Sequence, residues 1–267
     1  VYKYLATELG NGADSKEALD YFGNQIKHDP DNAELYLYNG LVKSNMNDKK
    51  DAITDFNKSI SLNPKSSDAF QSRADAKLGL KDYNGAKDDA DEALELDSKN
   101  IYAYITRARA KAFLNDTTGA RVDLNQALDL SPKNDYAYAI RGDIKYGGKD
   151  YKGALLDYNK MVEYGPGTAE NYLRRIKARV KNEDRPGAIQ DFKRVVELNP
   201  RDQSIYVRLG KEMIGYKFYS EALELFNKLI KTNPKKADFF VERGVAKQNL
   251  GNVNDAITDY DIAIKLD

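Results

Sequence analysis

Residues 137–166 read AYAIRGDIKYGGKDYKGALLDYNKMVEYGP, and the same order of apolar, small and proline positions recurs along the whole chain. Eight alanines mark the recurrence at a constant spacing of 34 residues: Ala18, Ala52, Ala86, Ala120, Ala154, Ala188, Ala222 and Ala256. A fixed period of this length predicts a repeat array in which each unit packs on its neighbours. We number the unit so that this alanine is position 20. The chain is then one predicted domain, 1–267, with repeats 1–32, 33–66, 67–100, 101–134, 135–168, 169–202, 203–236 and 237–267.

Each repeat carries the start and stop signals of two helices, A and B. Position 34 is a good N-cap residue at six of the seven junctions, which predicts that helix A of the next repeat begins there: Asn32, Ser66, Asn100, Asn134, Thr168 and Asp202. Position 16 is a second recurrent cap and predicts the start of helix B: Asp14, Asp48, Asp82, Asp116, Asp150 and Asp184. Six of the seven prolines occupy position 32, where a ring without an N–H group ends helix B.

The apolar positions predict which faces of the two helices meet. Positions 4, 8 and 11 share one face of helix A, and positions 20, 24, 27 and 28 share one face of helix B. Position 4 is aromatic in all eight repeats, and position 8 is small in seven of them. We therefore expect helices A and B to approach closely along this seam, with positions 2, 6, 9 and 13 pointing away from it.

This pattern resembles the tetratricopeptide repeat family along the whole chain. Residues 137–166 and 239–267 carry the family's aromatic, Gly/Ala, Ala, Tyr/Phe and Pro positions. The resemblance implies an all-α solenoid, a right-handed superhelix of eight antiparallel helix pairs whose A helices line a concave groove. The chain departs from the family at position 11, where lysine replaces the usual aromatic: Lys43, Lys77, Lys111, Lys145 and Lys247.

One pair of positions changes together among the repeats. Arginine at position 7 accompanies aspartate at position 23 in five repeats: Arg73 with Asp89, Arg107 with Asp123, Arg141 with Asp157, Arg175 with Asp191 and Arg243 with Asp259. Where position 7 is leucine, position 23 is Tyr21 or Leu225. We interpret the five pairs as half-buried ion pairs across the A/B seam. The alternative is that the arginines form a ligand-binding stripe.

Composition argues against several classes of function. Lysine plus arginine equals aspartate plus glutamate, at 42 each, so we expect no nucleic-acid partner. No stretch approaches 18 consecutive apolar residues, so we expect no insertion into a membrane. The chain has no cysteine and one histidine, His28, at a position that is leucine in other repeats, so we expect no catalytic residue, metal site or cofactor. The start lacks an initiator Met and a signal-like apolar run. We therefore expect a soluble fragment of undetermined localisation.

The side chains predicted to line the groove differ between repeats. The central repeats place an aromatic and apolar cluster there, and the first repeats add two members: Tyr102, Arg109, Phe113, Tyr136, Ile140 and Asp143, with Tyr38 and Leu41. Repeats six and seven place five cations there against Glu170: Arg174, Lys177, Lys181, Arg208 and Lys211. The alternative for the aromatics, and especially for position 5, is packing on the adjacent helix A.

These patterns favour a non-enzymatic scaffold that binds a peptide or partner protein in the groove. Exposed aromatic clusters often mark contact sites, and the cations favour a partner with an acidic segment. The alternative is a structural array that forms homo-oligomers through uncapped terminal repeats, which expose Leu5, Leu9 and Ile264. Single-stranded nucleic acid, bound by cations beside aromatic rings, is a more distant alternative.

Overall fold

The computed structural model describes residues 15–198 and 202–267, which form fifteen α-helices without a β-strand. The chain divides into two compact units. Among the described residues, unit 1 comprises 15–148 and 163–165, and unit 2 comprises 149–162, 166–198 and 202–267. Leu5, Leu9 and Asp14, named above, lie outside the described residues.

Unit 1 contains four B helices alternating with four A helices. The B helices are α1 (Ser15–His28), α3 (Lys49–Leu62), α5 (Tyr83–Leu96) and α7 (Thr117–Leu130). The A helices are α2 (Ala33–Asn45), α4 (Ser67–Gly79), α6 (Ile101–Phe113) and α8 (Asp135–Gly147). Each helix packs on the next one along the chain, and each A helix also contacts the following A helix. The A helices of this unit therefore form a continuous row.

Unit 2 has the same alternation. Its B helices are α9 (Tyr151–Tyr164), α11 (Arg185–Leu198), α13 (Tyr219–Thr232) and α15 (Val253–Leu266), the last residues of α9 grouping with unit 1. Its A helices are α10 (Ala169–Lys181), α12 (Gln203–Gly215) and α14 (Ala237–Asn249). A core of aromatic and aliphatic side chains runs through α10 to α14, with Phe192, Leu209 and Phe226 fully buried.

The predicted helix ends are confirmed in every described case. All six position-34 residues accept a hydrogen bond from a backbone N–H of the A helix that follows them. The five described aspartates at position 16 do the same for the B helices. Every described B helix ends at position 30, two residues before the proline position.

A left-handed residue at position 15 joins each described A helix to its B helix. The φ angles there lie between 60° and 85°, at Asn47, Lys81, Asn115, Lys149, Glu183, Lys217 and Gly251. Only one of these residues is glycine, the residue that adopts positive φ without a steric penalty. The local sequence therefore contains little signal for this turn, although two asparagines and one glycine are the residue types that it favours.

The small residue at position 8 makes room for an aromatic ring at position 24. A Cβ atom on Gly40 would lie 2.6 Å from the Phe56 ring and 3.2 Å from the Ala52 carbonyl oxygen. Gly210 faces Phe226, and Gly244 faces Tyr260, at similarly short distances. Position 8 was predicted to lie close to the invariant alanine at position 20. Its closest approach is instead to the aromatic ring at position 24, one helical turn later.

We predict that Gly40→Ala destabilises the chain, whereas Gly23→Ala does not. The added methyl at position 40 overpacks the Phe56 ring, which should cost about 1–3 kcal/mol. A Cβ on Gly23, inside α1, meets nothing within 4 Å, so alanine there should stabilise by about 0.5–1 kcal/mol. Thermal melts of the two variants, followed by circular dichroism, should shift in opposite directions.

The predicted ion pairs between positions 7 and 23 are present in four of the five repeats, with bidentate arginine–carboxylate geometry. Arg107 Nη2 and Nε lie 2.6 and 2.9 Å from the two carboxylate oxygens of Asp123. Arg73, Arg175 and Arg243 bind Asp89, Asp191 and Asp259 in the same way. The fifth pair, Arg141 with Asp157, joins residues of different units and stays a prediction.

Two further groups complete this cluster. Lys111 Nζ lies 2.8 Å from Asp123, and the position-11 residue of other repeats makes the same contact: Lys43, Lys77, Arg179 and Lys247. Arg107 Nη1 also binds Asp91 at 2.7 Å, which stands at position 25 of the preceding repeat. We call this set of positions 7, 11 and 23 with position 25 of the preceding repeat the clamp, because its arginine ties consecutive repeats together.

The clamp residues vary as a set. Position 25 is Asn or Asp before every repeat that has arginine at position 7, and the asparagines at that position accept from the arginine: Asn57, Asn125, Asn159 and Asn227. It is Gly23 before Asn39, and Lys193 before Leu209. Repeat seven has apolar residues at all three of its own positions, namely Leu209, Met213 and Leu225.

We predict that Asp123→Leu destabilises unit 1 much more than the combined variant Arg107→Leu, Lys111→Met, Asp123→Leu. The Asp123 side chain is 3% exposed, and its removal alone strands two cations, which should cost about 3 kcal/mol. The combined variant copies repeat seven and should cost about 1 kcal/mol. Equal losses of thermal stability would contradict the pairing.

The second repeat shows what the arginine contributes. Burial raises the pKa of Asp55, and the hydrogen bonds from Lys43 and Asn39 do not offset this effect. Burial also opposes ionisation of Asp259, but there the hydrogen bonds from Arg243 and Lys247 lower the pKa below its ordinary value. Position 7 is asparagine in the second repeat and arginine in the eighth.

We predict that Asn39→Arg combined with Gly23→Asn lowers the pKa of Asp55 below that of a free aspartate. The new arginine stabilises the carboxylate, as at Asp259. In the wild type, the free energy of unfolding should fall as pH rises through the raised pKa of Asp55, because the buried carboxyl group then becomes charged. In the variant, the carboxylate should instead contribute stability that is lost as pH falls through its lowered pKa. Carboxyl carbon NMR titration of both proteins measures the shift, and Gly23→Asn alone is the control.

Candidate protein-binding surfaces

The side chains predicted to point away from the A/B seam link neighbouring A helices. In unit 1, Arg109 Nη1 on α6 lies 3.2 Å from Asp75 Oδ1 on α4. In unit 2, Lys211 Nζ on α12 lies 3.3 Å from Glu242 Oε1 on α14. All four residues stand at position 6 or 9. We call the surface formed by positions 2, 6, 9 and 13 of the A helices the A face of each unit.

Three aromatic side chains of the unit 1 A face are exposed to solvent. The exposed fractions are 62% for Tyr102, 58% for Phe113 and 41% for Tyr136. These values contrast with Phe22, Phe56 and the other core rings, which are fully buried. Exposed aromatic rings on a rigid helical surface are the kind of group that anchors a partner.

Arg109 connects the helices that form this aromatic surface. Its guanidinium binds Asp75 and also lies over the Tyr136 ring, 5.9 Å from the centroid. A cation held by a carboxylate on one side and a ring on the other connects α4, α6 and α8. Asp143, the acidic member of the predicted set, is exposed on α8.

Position 13 lies at the edge of the A face. The Phe113 ring stacks on Tyr83, the first residue of the preceding B helix, with centroids 4.5 Å apart and planes 11° from parallel. In unit 2, Lys181 at the same position lies over the Tyr151 ring, 5.8 Å from its centroid. Position 13 therefore combines an exposed side chain with a contact to the preceding repeat.

The other apolar members of the predicted set are half-buried. Tyr38 stacks near Phe22, with centroids 6.2 Å apart, and Leu41 packs against the cores on both sides of α2. Burial, together with Glu34 and Asp68, raises the pKa of the Tyr38 hydroxyl. Ile140 packs against the core around α6 and α7. These three side chains present only part of their surface to a partner.

Position 5 is an inter-repeat packing position, the alternative weighed from the sequence. Leu37, Ile105 and Leu173 are buried, with 7%, 1% and 1% of their surface exposed. Position 5 therefore belongs to the seam between repeats, and the A face is narrower than the amphipathic pattern alone indicates.

The cations of the unit 2 A face are partly neutralised by Glu170, which the sequence pattern placed there, and by Glu212 and Glu242, which it did not single out. Arg208 lies 3.5 Å from both Glu170 and Glu212, and Lys211 pairs with Glu242. Arg174 is 4.0 Å from Glu170. Lys177, at position 9 between them, forms no ion pair with any residue of the described ranges.

The described residues offer no other recognisable chemical centre. Across 15–198 and 202–267, His, Asp and Glu side chains nowhere gather in a group of three or more that would suit a metal ion. Within the same ranges, no helix combines the length and the apolar character needed to cross a membrane.

Comparison with known proteins identifies the repeat. A family model described as the tetratricopeptide repeat matches residues 33–66, which comprise helices α2 and α3 and one complete copy of the 34-residue unit. The same helix pair and caps recur in frame in both units. Residues 33–66 therefore match the tetratricopeptide repeat, and the described residues have the all-α repeat fold of that family. A comparison with curated proteins gives no match.

Solved structures share this tetratricopeptide-repeat fold at low sequence identity. Cut9-Hcn1, an APC/C hetero-tetramer, matches with a TM-score of 0.68 and 15% identity over 92% of this chain and 48% of that chain. This chain thus spans about half the length of that relative. A human IFIT1 dimer with m7Gppp-AAAA gives 0.64 and 14% over 96% of this chain and 69% of that chain. TTC0263 of Thermus thermophilus, described as a thermophilic TPR protein, gives 0.60 and 16% over 68% of this chain and all of that chain, 100%. At these identities the likeness concerns the fold alone.

Proposed function

We propose that this tetratricopeptide-repeat chain is a non-enzymatic scaffold that binds an extended peptide or a partner helix on its A faces. Tetratricopeptide repeats generally serve as protein-interaction scaffolds. The single observation that carries the proposal is that Tyr102, Phe113 and Tyr136 are exposed on the unit 1 A face, whereas the core rings are buried. Aromatic side chains supply large contact area with little loss of conformational entropy on binding.

The frame behind these rings supports tight binding. Tyr102 and Phe113 stand on α6, whose Arg107 is held by Asp123 and Asp91. Because the helices are fixed before a partner arrives, little conformational entropy is lost when it binds. The site thus resembles a rigid surface more than a flexible loop.

The unit 2 A face supports a partner with an acidic segment. Lys177 and Lys181 are the cations there without an ion pair among described residues, and the guanidinium of Arg208 is about half exposed, at 49%. A carboxylate of the partner can bind these cations without breaking a buried ion pair of the fold. The zero net charge of the chain favours a protein partner over a nucleic acid, which needs a broad basic surface.

The test of this function is partner capture with matched variants. We expect Tyr102→Ala to leave the melting temperature unchanged, because the ring is mostly exposed, yet to weaken binding of a captured partner about 10-fold or more. Leu156→Ala is the control, because Leu156 is 67% exposed on the B helix α9. Affinity purification followed by mass spectrometry identifies the partner, and titration calorimetry measures its dissociation constant. Equal capture by Tyr102→Ala, Tyr136→Ala and wild type would exclude the unit 1 A face.

The charged part of the proposal has its own control. We expect Lys177→Glu to weaken binding of an acidic partner about threefold to fivefold, with a smaller difference from wild type in about 0.5 M salt. Lys152→Glu changes the charge equally at an exposed position of α9 and should have no effect. If both lysine variants behave alike, then the acidic segment does not contact the unit 2 A face.

A second function, self-assembly into homo-oligomers, is favoured by one surface. Helix α15 exposes Val253, Ile257 and Ile264, with exposed fractions of 52%, 51% and 74%. The equivalent residues of inner repeats, such as Ile53 and Ile60, are half-buried beside the next A helix. Light scattering over a range of concentrations, with Ile264→Lys as the variant, distinguishes an assembling chain from a monomer.

A further inference from the structure

The junction between repeats six and seven, inside unit 2, is built differently from its neighbours. On either side of it, Arg175 and Arg243 tie their repeats to the preceding ones through Asn159 and Asn227. At this junction the arginine is replaced by Leu209, which is fully buried. Its three clamp partners are replaced by Met213, Leu225 and, in the preceding repeat, Lys193. The clamp arginine is therefore missing from the space between these two repeats.

A cavity of about 300 Å³ lies at this place, on the side of the B helices α11 and α13. Three of the four clamp positions line it, namely Lys193, Met213 and Leu225. Ile189, Phe192 and Val196 of α11 complete the apolar floor. The volume suits one large apolar side chain, and the floor offers no buried carboxylate that would favour a cation.

The charged rim selects the partner. Of the three carboxylates around the cavity, Glu221 is paired with Arg185 at 3.0 Å and Glu197 with Arg194 at 2.9 Å. Lys193 and Lys228 line the same cavity and form no ion pair with any residue that the structure describes. Only Glu224 then stands against the two lysines. The rim is complementary to carboxylates placed beside an apolar side chain.

We propose that this cavity is a second protein-binding site, separate from the A faces. Its occupant is a segment of a partner protein that inserts one large apolar side chain, such as phenylalanine or leucine, between α11 and α13. Acidic residues next to that side chain reach Lys193 and Lys228. The clamp gives the reason for a site at this junction alone within α10 to α15, because the flanking junctions contain an arginine in the corresponding space.

The methionines of the chain give a direct readout of this site. There are three, and only Met213 lines the cavity, whereas Met46 is exposed on unit 1 and Met161 is buried in α9. Methyl-labelled methionine therefore gives one reporter and two internal controls. The probe is an acetylated and amidated pentapeptide, Ala-Asp-Phe-Asp-Ala, titrated to millimolar concentration. The comparison peptides replace either the phenylalanine by alanine or both aspartates by lysine.

We expect the acidic phenylalanine peptide to shift the Met213 methyl resonance saturably and to leave Met46 and Met161 unchanged. The alanine peptide should produce no shift, and the lysine peptide should bind about fivefold more weakly. An unshifted Met213 resonance would overturn the proposal, as would equal shifts with the alanine peptide.

Two variants separate this site from the A faces. Lys193→Asn, Leu209→Arg and Leu225→Asp together introduce the clamp residues of positions 25, 7 and 23 and keep Met213 at position 11. This rebuilt clamp should reduce peptide affinity about 10-fold or more by filling the cavity. Lys193→Glu with Lys228→Glu leaves the floor intact and should reverse the preference between acidic and basic peptides. Lys177→Glu, on the A face, should bind as wild type does. Retained binding by the rebuilt clamp, or loss only with Lys177→Glu, would place the peptide elsewhere and contradict the proposal.

Discussion

The buried carboxylate at position 23 is the constraint on which the rest of the molecule depends. An aspartate such as Asp123, almost fully enclosed, is tolerable only when cations and hydrogen-bond donors surround it. Position 7 supplies the bidentate guanidinium, and position 11 supplies a second cation. The guanidinium also binds the residue at position 25 of the preceding repeat. The arginine that neutralises the buried carboxylate inside one repeat therefore also attaches that repeat to its neighbour.

This arrangement decides which charged residues remain for a partner. The position-7 arginines are engaged within the fold, as at Arg73 and Arg243, and therefore do not form a ligand stripe. What remains available is the opposite side of the A helices. There the rings of Tyr102 and Phe113 stand in solvent, and Lys177 has no ion pair with a described residue. In these repeats, the charged residues that stabilise the fold lie at the A/B seam, and the side chains available to a partner lie on the A face.

Much of the fold was predictable because local signals recur in every repeat. Caps, prolines and the pairing of positions 7 and 23 depend on contacts within one helix or one helix pair. The structure confirms the caps, the helix ends and the four pairs that lie within one unit. Contacts between consecutive repeats were less accessible, because they depend on the rotation from one repeat to the next. The acceptor Asp91 and the burial of Tyr38 belong to this class. The contact of Lys111 with Asp123 lies within one repeat, and a comparison of positions 11 and 25 among repeats would have revealed both Lys111 and Asp91.

The dependence of each arginine on an acceptor in the preceding repeat makes the order of the repeats matter. Exchange of whole 34-residue units during evolution, by unequal recombination for example, would preserve every helix yet mismatch the seams. Repeat four transplanted behind repeat six would set Arg107 against Lys193, two cations in a half-buried space. Repeats can therefore be added to the array, but their order cannot be changed freely. When units are exchanged by design, the residue at position 25 has to be transferred together with the arginine of the repeat that follows it.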